Sequence, residues 1–159
     1  MTAASMDGPA KAAIPTAKPA KQQTLAREAT FKGIGFFHGT DVSIRLLPAE
    51  PNHGLVFVRT DLPGRPAIPA LIRHRVPEPR RTVLEVGSAR AEMTEHVLAA
   101  LVGMGVDNCL IELEGPEPPG FDGSALPYVE AIGDDLDVQS SLRSPLVVED
   151  PVHAAQGDA

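Results

Sequence analysis

The chain is 159 residues long and carries 14 Lys and Arg against 21 Asp and Glu, a formal charge of −7 at pH 7. That acidic balance, with no basic cluster set among aromatics, excludes a nucleic-acid surface, because phosphate binding draws on concentrated positive charge. The length suits a single domain, and the absence of Trp beside 16 prolines predicts a small aliphatic core with much irregular chain.

Residues 1–22, rich in Ala, Pro and Lys and without hydrophobic period, predict a disordered arm, with order beginning near Gln23 or Thr24. In "DVSIRLLP" the residues Val42, Ile44 and Leu46 alternate with Ser43 and Arg45, the period of a half-buried strand. "PNHG" then supplies turn chemistry and "LVFVRT" resumes from Leu55, so the two runs predict a hairpin with a longer loop. "AIPALI" (Ala67 to Ile72) and "RTVLEV" (Arg81 to Val86) predict two shorter strands, confined to edges or strand ends by the prolines near them.

From Thr94 the period becomes helical. Val97, Leu98, Leu101, Val102 and Met104 spread around the axis, which predicts a helix buried nearly all round against a sheet. Gly103 and Gly105 supply the stop signal. "DNCLIELEG" predicts a strand with Cys109, Ile111 and Leu113 on one face; after a loop, Pro127 to about Leu136 predicts a second helix. Strands followed by helix, strand and helix predict an α+β domain, its helices on one face of a mainly antiparallel sheet.

The lone Cys109 excludes an internal disulfide and suits a reducing cytoplasm. The first twenty residues lack the apolar core of a signal peptide, and no stretch approaches the ~20 apolar residues a membrane span requires.

The chemistry concentrates at "TEHVLAALVGMG". A helix N-terminus offers free N–H groups and a partial positive charge, which favours an ionised Glu95 and disfavours a protonated His96. A carboxylate base beside a neutral imidazole is what a hydrolytic metal site needs. Taken alone, such a pair is more often a dipole-complementing glutamate and a core histidine. It is not the arrangement of two histidines one helical turn apart.

The blocks "KQQTLAREATFKGIGFFHG", "VFVRTDLPG", "RRTVLE" and "TEHVLAALVGMGVDNCLIELEGPEPPGFDGSALPYVEAI" follow one another in an order and spacing that resembles the first domain of the UDP-3-O-acyl-N-acetylglucosamine deacetylases, zinc enzymes of lipid A biosynthesis. The resemblance runs from about Lys21 to Ile132. It implies an antiparallel sheet with two helices on one face, of the ribosomal protein S5 domain 2-like kind, and a two-domain family fold with the active site between the domains. It implies a domain over residues 23–138, with 139–159 as a linker and the opening of a second domain. Glu95 matches the family's general base, and His96 matches the zinc ligand contributed by the first domain. The implied reaction removes the N-acetyl group from a UDP-linked, 3-O-acylated glucosamine. Asp122, in "FDGSALP", matches the family aspartate, as a support to the site or as a turn residue leading into the second helix. In "GIGFFHG", Phe37 occupies the position of a family histidine and His38 follows it.

A catalytic zinc normally takes three protein ligands and a water. The resemblance places the other histidine, and an aspartate four residues after it, in the second domain. Here His153 is followed four positions later by Gly157, which does not supply that pair. Three arrangements follow: a partner polypeptide completes the site in trans, the chain is a non-catalytic binding or regulatory module that kept the fold, or a homodimer brings two copies of His96 together. An uncovered apolar patch around the helix start and loop 115–127 is expected of a domain lacking its partner.

Overall fold

The computed structural model describes residues 20–144, with 148, 152 and 153. Among these residues the order is β1 (Lys21–Leu25), β2 (Ala29–Ile34), β3 (Asp41–Pro48), β4 (Leu55–Arg59), β5 (Ala67–Pro69), a 3₁₀ turn (Ile72–His74), β6 (Arg75–Val76), β7 (Val83–Val86), β8 (Ala89–Ala91), α1 (Glu95–Gly103), β9 (Cys109–Glu114), α2 (Leu126–Ile132) and β10 (Leu136–Leu142). The central sheet has the order β2-β3-β9-β4-β5, antiparallel except between β4 and β9. A two-stranded sheet pairs β1 with β10, and β6, β7 and β8 make a small antiparallel sheet. This is the expected α+β architecture, with mostly antiparallel pairing.

One face of the central sheet builds the core. In register, Ile44 faces Leu113, Leu46 faces Ile111, and Phe57 lies beside Ile111. These side chains are fully buried and share one cluster with Val97, Ala100 and Leu101 of α1 and Tyr128 and Ile132 of α2. Each large apolar side chain removed from water in this way contributes about 1.5–3 kcal/mol. The opposite face is polar: Arg45 pairs with Glu112 at 2.8 Å, and the Ser43 hydroxyl donates to Glu114 at 2.9 Å. Strand alternation thus sends Val42, Ile44 and Leu46 inward, as their spacing predicts.

Several expectations are corrected. β3 and β4 are not a hairpin: β9 lies between them, antiparallel to β3 and parallel to β4. Parallel neighbours need a long crossover, and residues 60–108 supply it, carrying the small sheet and α1. The run from Ala67 stays extended only to Pro69 before turning at Ile72–His74, and the run from Arg81 is a strand only from Val83. Helix α1 is not buried all round, because Val102 is 65% exposed. The second helix ends at Ile132 on Gly133, whose φ of +61° suits glycine, and Leu136 opens a strand instead.

Residues 1–19 of the expected arm lie outside the described residues, while Lys21 and Gln22 belong to β1. β10 runs through position 138, where the domain was expected to give way to a linker. Most of residues 145–159, where a second domain was expected to open, lie outside the described residues. Among the described residues no helix is long and apolar enough to cross a membrane.

Candidate functional site

The start of α1 is braced by the residue ahead of β7. Thr94 holds the N-cap position, yet its hydroxyl makes no cap; it donates to the Thr82 carbonyl at 3.3 Å, as does the Thr94 amide. In return the Thr82 amide donates to Glu95 Oε2 at 2.9 Å. The Glu95 carboxylate is therefore fixed by a backbone donor outside its own helix. Glu95 and His96 are both half-buried.

The chain reaches this point through a strained residue. Met93, 8% exposed, has a φ of +51°. A left-handed conformation at a non-glycine residue costs on the order of 1–3 kcal/mol and persists where the surroundings enforce it. Here its neighbours are pinned, the Glu92 amide donating to the Pro116 carbonyl at 2.8 Å and the Thr94 amide to the Thr82 carbonyl at 3.3 Å.

Glu92 opens a network that sequence reasoning missed. Its carboxylate lies 2.9 Å from Arg81 Nε and 3.4 Å from His38 Nε2. The approach to Arg81 is close but poorly directed, so neither Arg81 Nε nor Glu92 Oε2 has an aligned hydrogen bond among the described residues. The Arg81 guanidinium also sits 4.4 Å over the Phe37 ring, a cation–π contact. The turn that carries Phe37 and His38 rests on a second acid, Glu117, which is fully buried. Glu117 Oε1 accepts the amides of Phe37 at 2.9 Å and His38 at 2.7 Å.

Gly35 explains how that turn can lie so close. A Cβ at this position would meet Glu117 Oε1 at 2.5 Å, so the glycine is needed for approach. The 33–39 turn and the 115–123 loop are joined by a bridge between Gly35 and Pro119 and by the Gly120 amide donating to the Ile34 carbonyl at 2.9 Å. The Tyr128 hydroxyl donates to the Pro119 carbonyl at 3.1 Å, and burial pushes its pKa up. The glycines of "KGIG" were the one legible sign of this approach; nothing in "GPEPPG" marks its glutamate as buried.

Asp122 faces its own loop. Its Oδ1 accepts the Ser124 amide at 2.9 Å and hydroxyl at 2.8 Å, and the Ser124 hydroxyl and amide hold its carboxyl below the usual carboxylate range. Ser124 Oγ in turn accepts the Leu126 amide at the start of α2. Around the joined loops Ile34, Phe36, Phe37, Phe121 and Leu126 are exposed, an apolar surface where one was expected.

Among the described residues no three His, Cys, Asp or Glu converge as metal donors. Glu95 and His96 are neighbours at the helix start, while among the described residues the side-chain hydrogen bonds of Asp122 stay within its loop. A concavity of about 610 Å³ lined by Thr24, Glu50, His53, Asp137 and Gln139 shares no residue with the helix start.

Residues 22–159 match the family described as LpxC, UDP-3-O-acyl N-acetylglycosamine deacetylase. The chain is 44% identical over 132 residues to the bifunctional enzyme LpxC/FabZ of Chlorobaculum tepidum, covering 82% of this chain and 28% of that protein. It is 41% identical over 138 residues to the UDP-3-O-acyl-N-acetylglucosamine deacetylase of Myxococcus xanthus, covering 86% of this chain and 44% of the relative. A Nostoc deacetylase of the same name is 39% identical over 142 residues, with coverage of 87% and 51%. The chain thus spans about half, or less, of the length of these curated relatives. With the match running across most of its residues, the chain belongs to the UDP-3-O-acyl N-acetylglycosamine deacetylase family.

Proposed function

We propose that this chain is the N-terminal half of a zinc-dependent deacetylase that removes the N-acetyl group from UDP-3-O-acyl-N-acetylglucosamine in lipid A biosynthesis. The observation that carries this reading is the Glu95 carboxylate, fixed by the Thr82 amide at the start of α1 beside His96, in a chain of this family. Glu95 is the general base. It takes a proton from a water as the water oxygen adds to the acetamide carbonyl carbon; the C–N bond then breaks, leaving acetate and the sugar amine.

The described residues do not by themselves make a zinc site, since no three donors converge. His96 is the donor this chain supplies, and the others come from a second half of the deacetylase. The apolar side chains exposed around Phe36, Phe121 and Leu126 support such a partner, and the relatives' greater length provides for one. Asp122 shapes the loop that leads into α2.

The test is complementation. The chain alone should release no acetate from UDP-3-O-acyl-N-acetylglucosamine and bind zinc weakly. Mixed with a polypeptide covering the remaining half of the Myxococcus relative, it should deacetylate, and Glu95→Gln should abolish that activity. A mixture that associates yet stays inactive with Glu95 and His96 intact would sink the proposal and leave the binding-module reading.

A further inference from the structure

The segment "LIRHR", Leu71 to Arg75, plays no part in the site described above. It forms the 3₁₀ turn between β5 and β6, closed by the His74 amide donating to the Leu71 carbonyl at 2.9 Å. The turn buries nothing: Ile72 is 85% exposed, Leu71 is 42% exposed, and Arg73 and Arg75 are exposed as well. An isoleucine so far out of the protein keeps nearly all its apolar surface in water.

Positive charge accompanies the apolar exposure here. Arg45, Arg59, Arg65, Arg81, Arg90 and Arg143 each lie within ion-pair distance of a carboxylate. Arg73 and Arg75 have no such partner among the described residues, and the five-residue stretch contains no acid in a chain of net charge −7. Two exposed aliphatic side chains and two unpaired guanidiniums therefore occupy one protruding turn.

We infer that this turn docks the protein onto an anionic phospholipid surface, Leu71 and Ile72 entering the interface while Arg73 and Arg75 meet lipid phosphates. Shape argues for a bilayer over a protein partner. A stable protein interface buries roughly 800 Å² on each side, more than a five-residue convex turn offers, whereas the headgroup region accepts single protruding apolar side chains and supplies anions around them. The exposure of Ile72 likewise leaves no enclosure for a free phosphate. Because Arg75 pairs with Leu84 and Val76 with Val83, the turn shares the small sheet with the segment whose Thr82 holds Glu95. Docking there would present the helix start beside the lipid interface, though the inference stands apart from the deacetylase reading.

The experiment is flotation of the 159-residue chain with vesicles of phosphatidylcholine alone and with one third phosphatidylglycerol, at low and high salt. The chain should float with the anionic vesicles only, and salt should release it. Ile72→Asp and the double variant Arg73→Glu/Arg75→Glu should each weaken binding roughly tenfold, with unchanged circular dichroism. Arg27→Glu, on the β1–β2 connection at another arginine without an ion pair among the described residues, should leave binding within about twofold. Failure to float, an equal loss with Arg27→Glu, or full binding by Ile72→Asp would each overturn the inference. So would a drop in molar mass with Ile72→Asp, which would make the turn a contact between copies of the chain.

Discussion

The Thr82 amide donates to the Glu95 carboxylate at 2.9 Å, and the Thr82 carbonyl receives the amide of Thr94, the residue before Glu95, so Thr82 grips the start of α1 twice. The carboxylate is thus part of the fold as well as the proposed base, and substitutions should separate the two roles. Glu95→Gln keeps an acceptor for the Thr82 amide and should cost less than about 1 kcal/mol in urea unfolding, while Glu95→Ala should cost about 1–2 kcal/mol. Equal losses would mean that the hydrogen bond adds nothing to stability.

The Gly35–Glu117 contact should prove costly to disturb from either side. Glu117→Ala leaves the Phe37 and His38 amides without their acceptor, worth about 2–4 kcal/mol. Gly35→Ala forces a methyl against the carboxylate and should cost about 1–3 kcal/mol. The double variant should fall well short of the sum, because removing the carboxylate makes room for the methyl. Additive losses in a denaturation cycle would show that the two residues do not share this contact.

Arg59 and Asp61 give the chain an acid-sensitive element. Arg59 donates from Nε to Asp61 Oδ1 at 2.9 Å and from Nη2 to Oδ2 at 2.8 Å. These bonds hold the Asp61 carboxyl below its ordinary 3.8, against the opposing effect of burial. A carboxylate with a depressed folded pKa stabilises fully above its unfolded value, and that stability is lost as pH falls through the folded value. Urea midpoints measured below pH about 4 should therefore decline less steeply for Asp61→Asn than for the parent chain. Parallel profiles would assign the acid sensitivity to other groups.

Cys109 is fully buried, and burial pushes its thiol pKa up to about 12. It should be silent to a disulfide reagent in the folded protein at mild alkaline pH and react stoichiometrically once the chain is unfolded in urea. Prompt reaction of the folded chain would show that β9 opens readily.

Much of the sheet was legible in the sequence because side-chain alternation is a local signal. Val42, Ile44 and Leu46 on β3, and Cys109, Ile111 and Leu113 on β9, all face inward as their spacing predicts. The neighbours of a strand are not local, which is how β3 and β4 suggested a hairpin although β9 lies between them. β10 escaped for another reason. Val138 is 63% exposed and Leu142 54% exposed, so the strand has no apolar face to give it a period; its backbone pairing with β1 defines it. At the candidate site the sequence displayed Glu95 and His96, but Glu92 meets Arg81, and Glu117 meets the Phe37–His38 turn, only through tertiary approach.

The pairing of β1 with β10 also bears on when this domain can form. The Gln22 side chain donates to the Leu142 carbonyl across 120 positions, and the Arg143 amide donates to the Ala20 carbonyl at 2.8 Å. Contacts of such high order come late, because the loop they close must first give up its entropy. During synthesis, the first strand can bond Asp107 and Asn108 through Gln23 and Thr24, but its ladder along β10 waits until the tenth strand has cleared the ribosome. The central sheet and α1 can assemble before that, whereas the β10 side of β1 stays an open edge until residue 142 has been made.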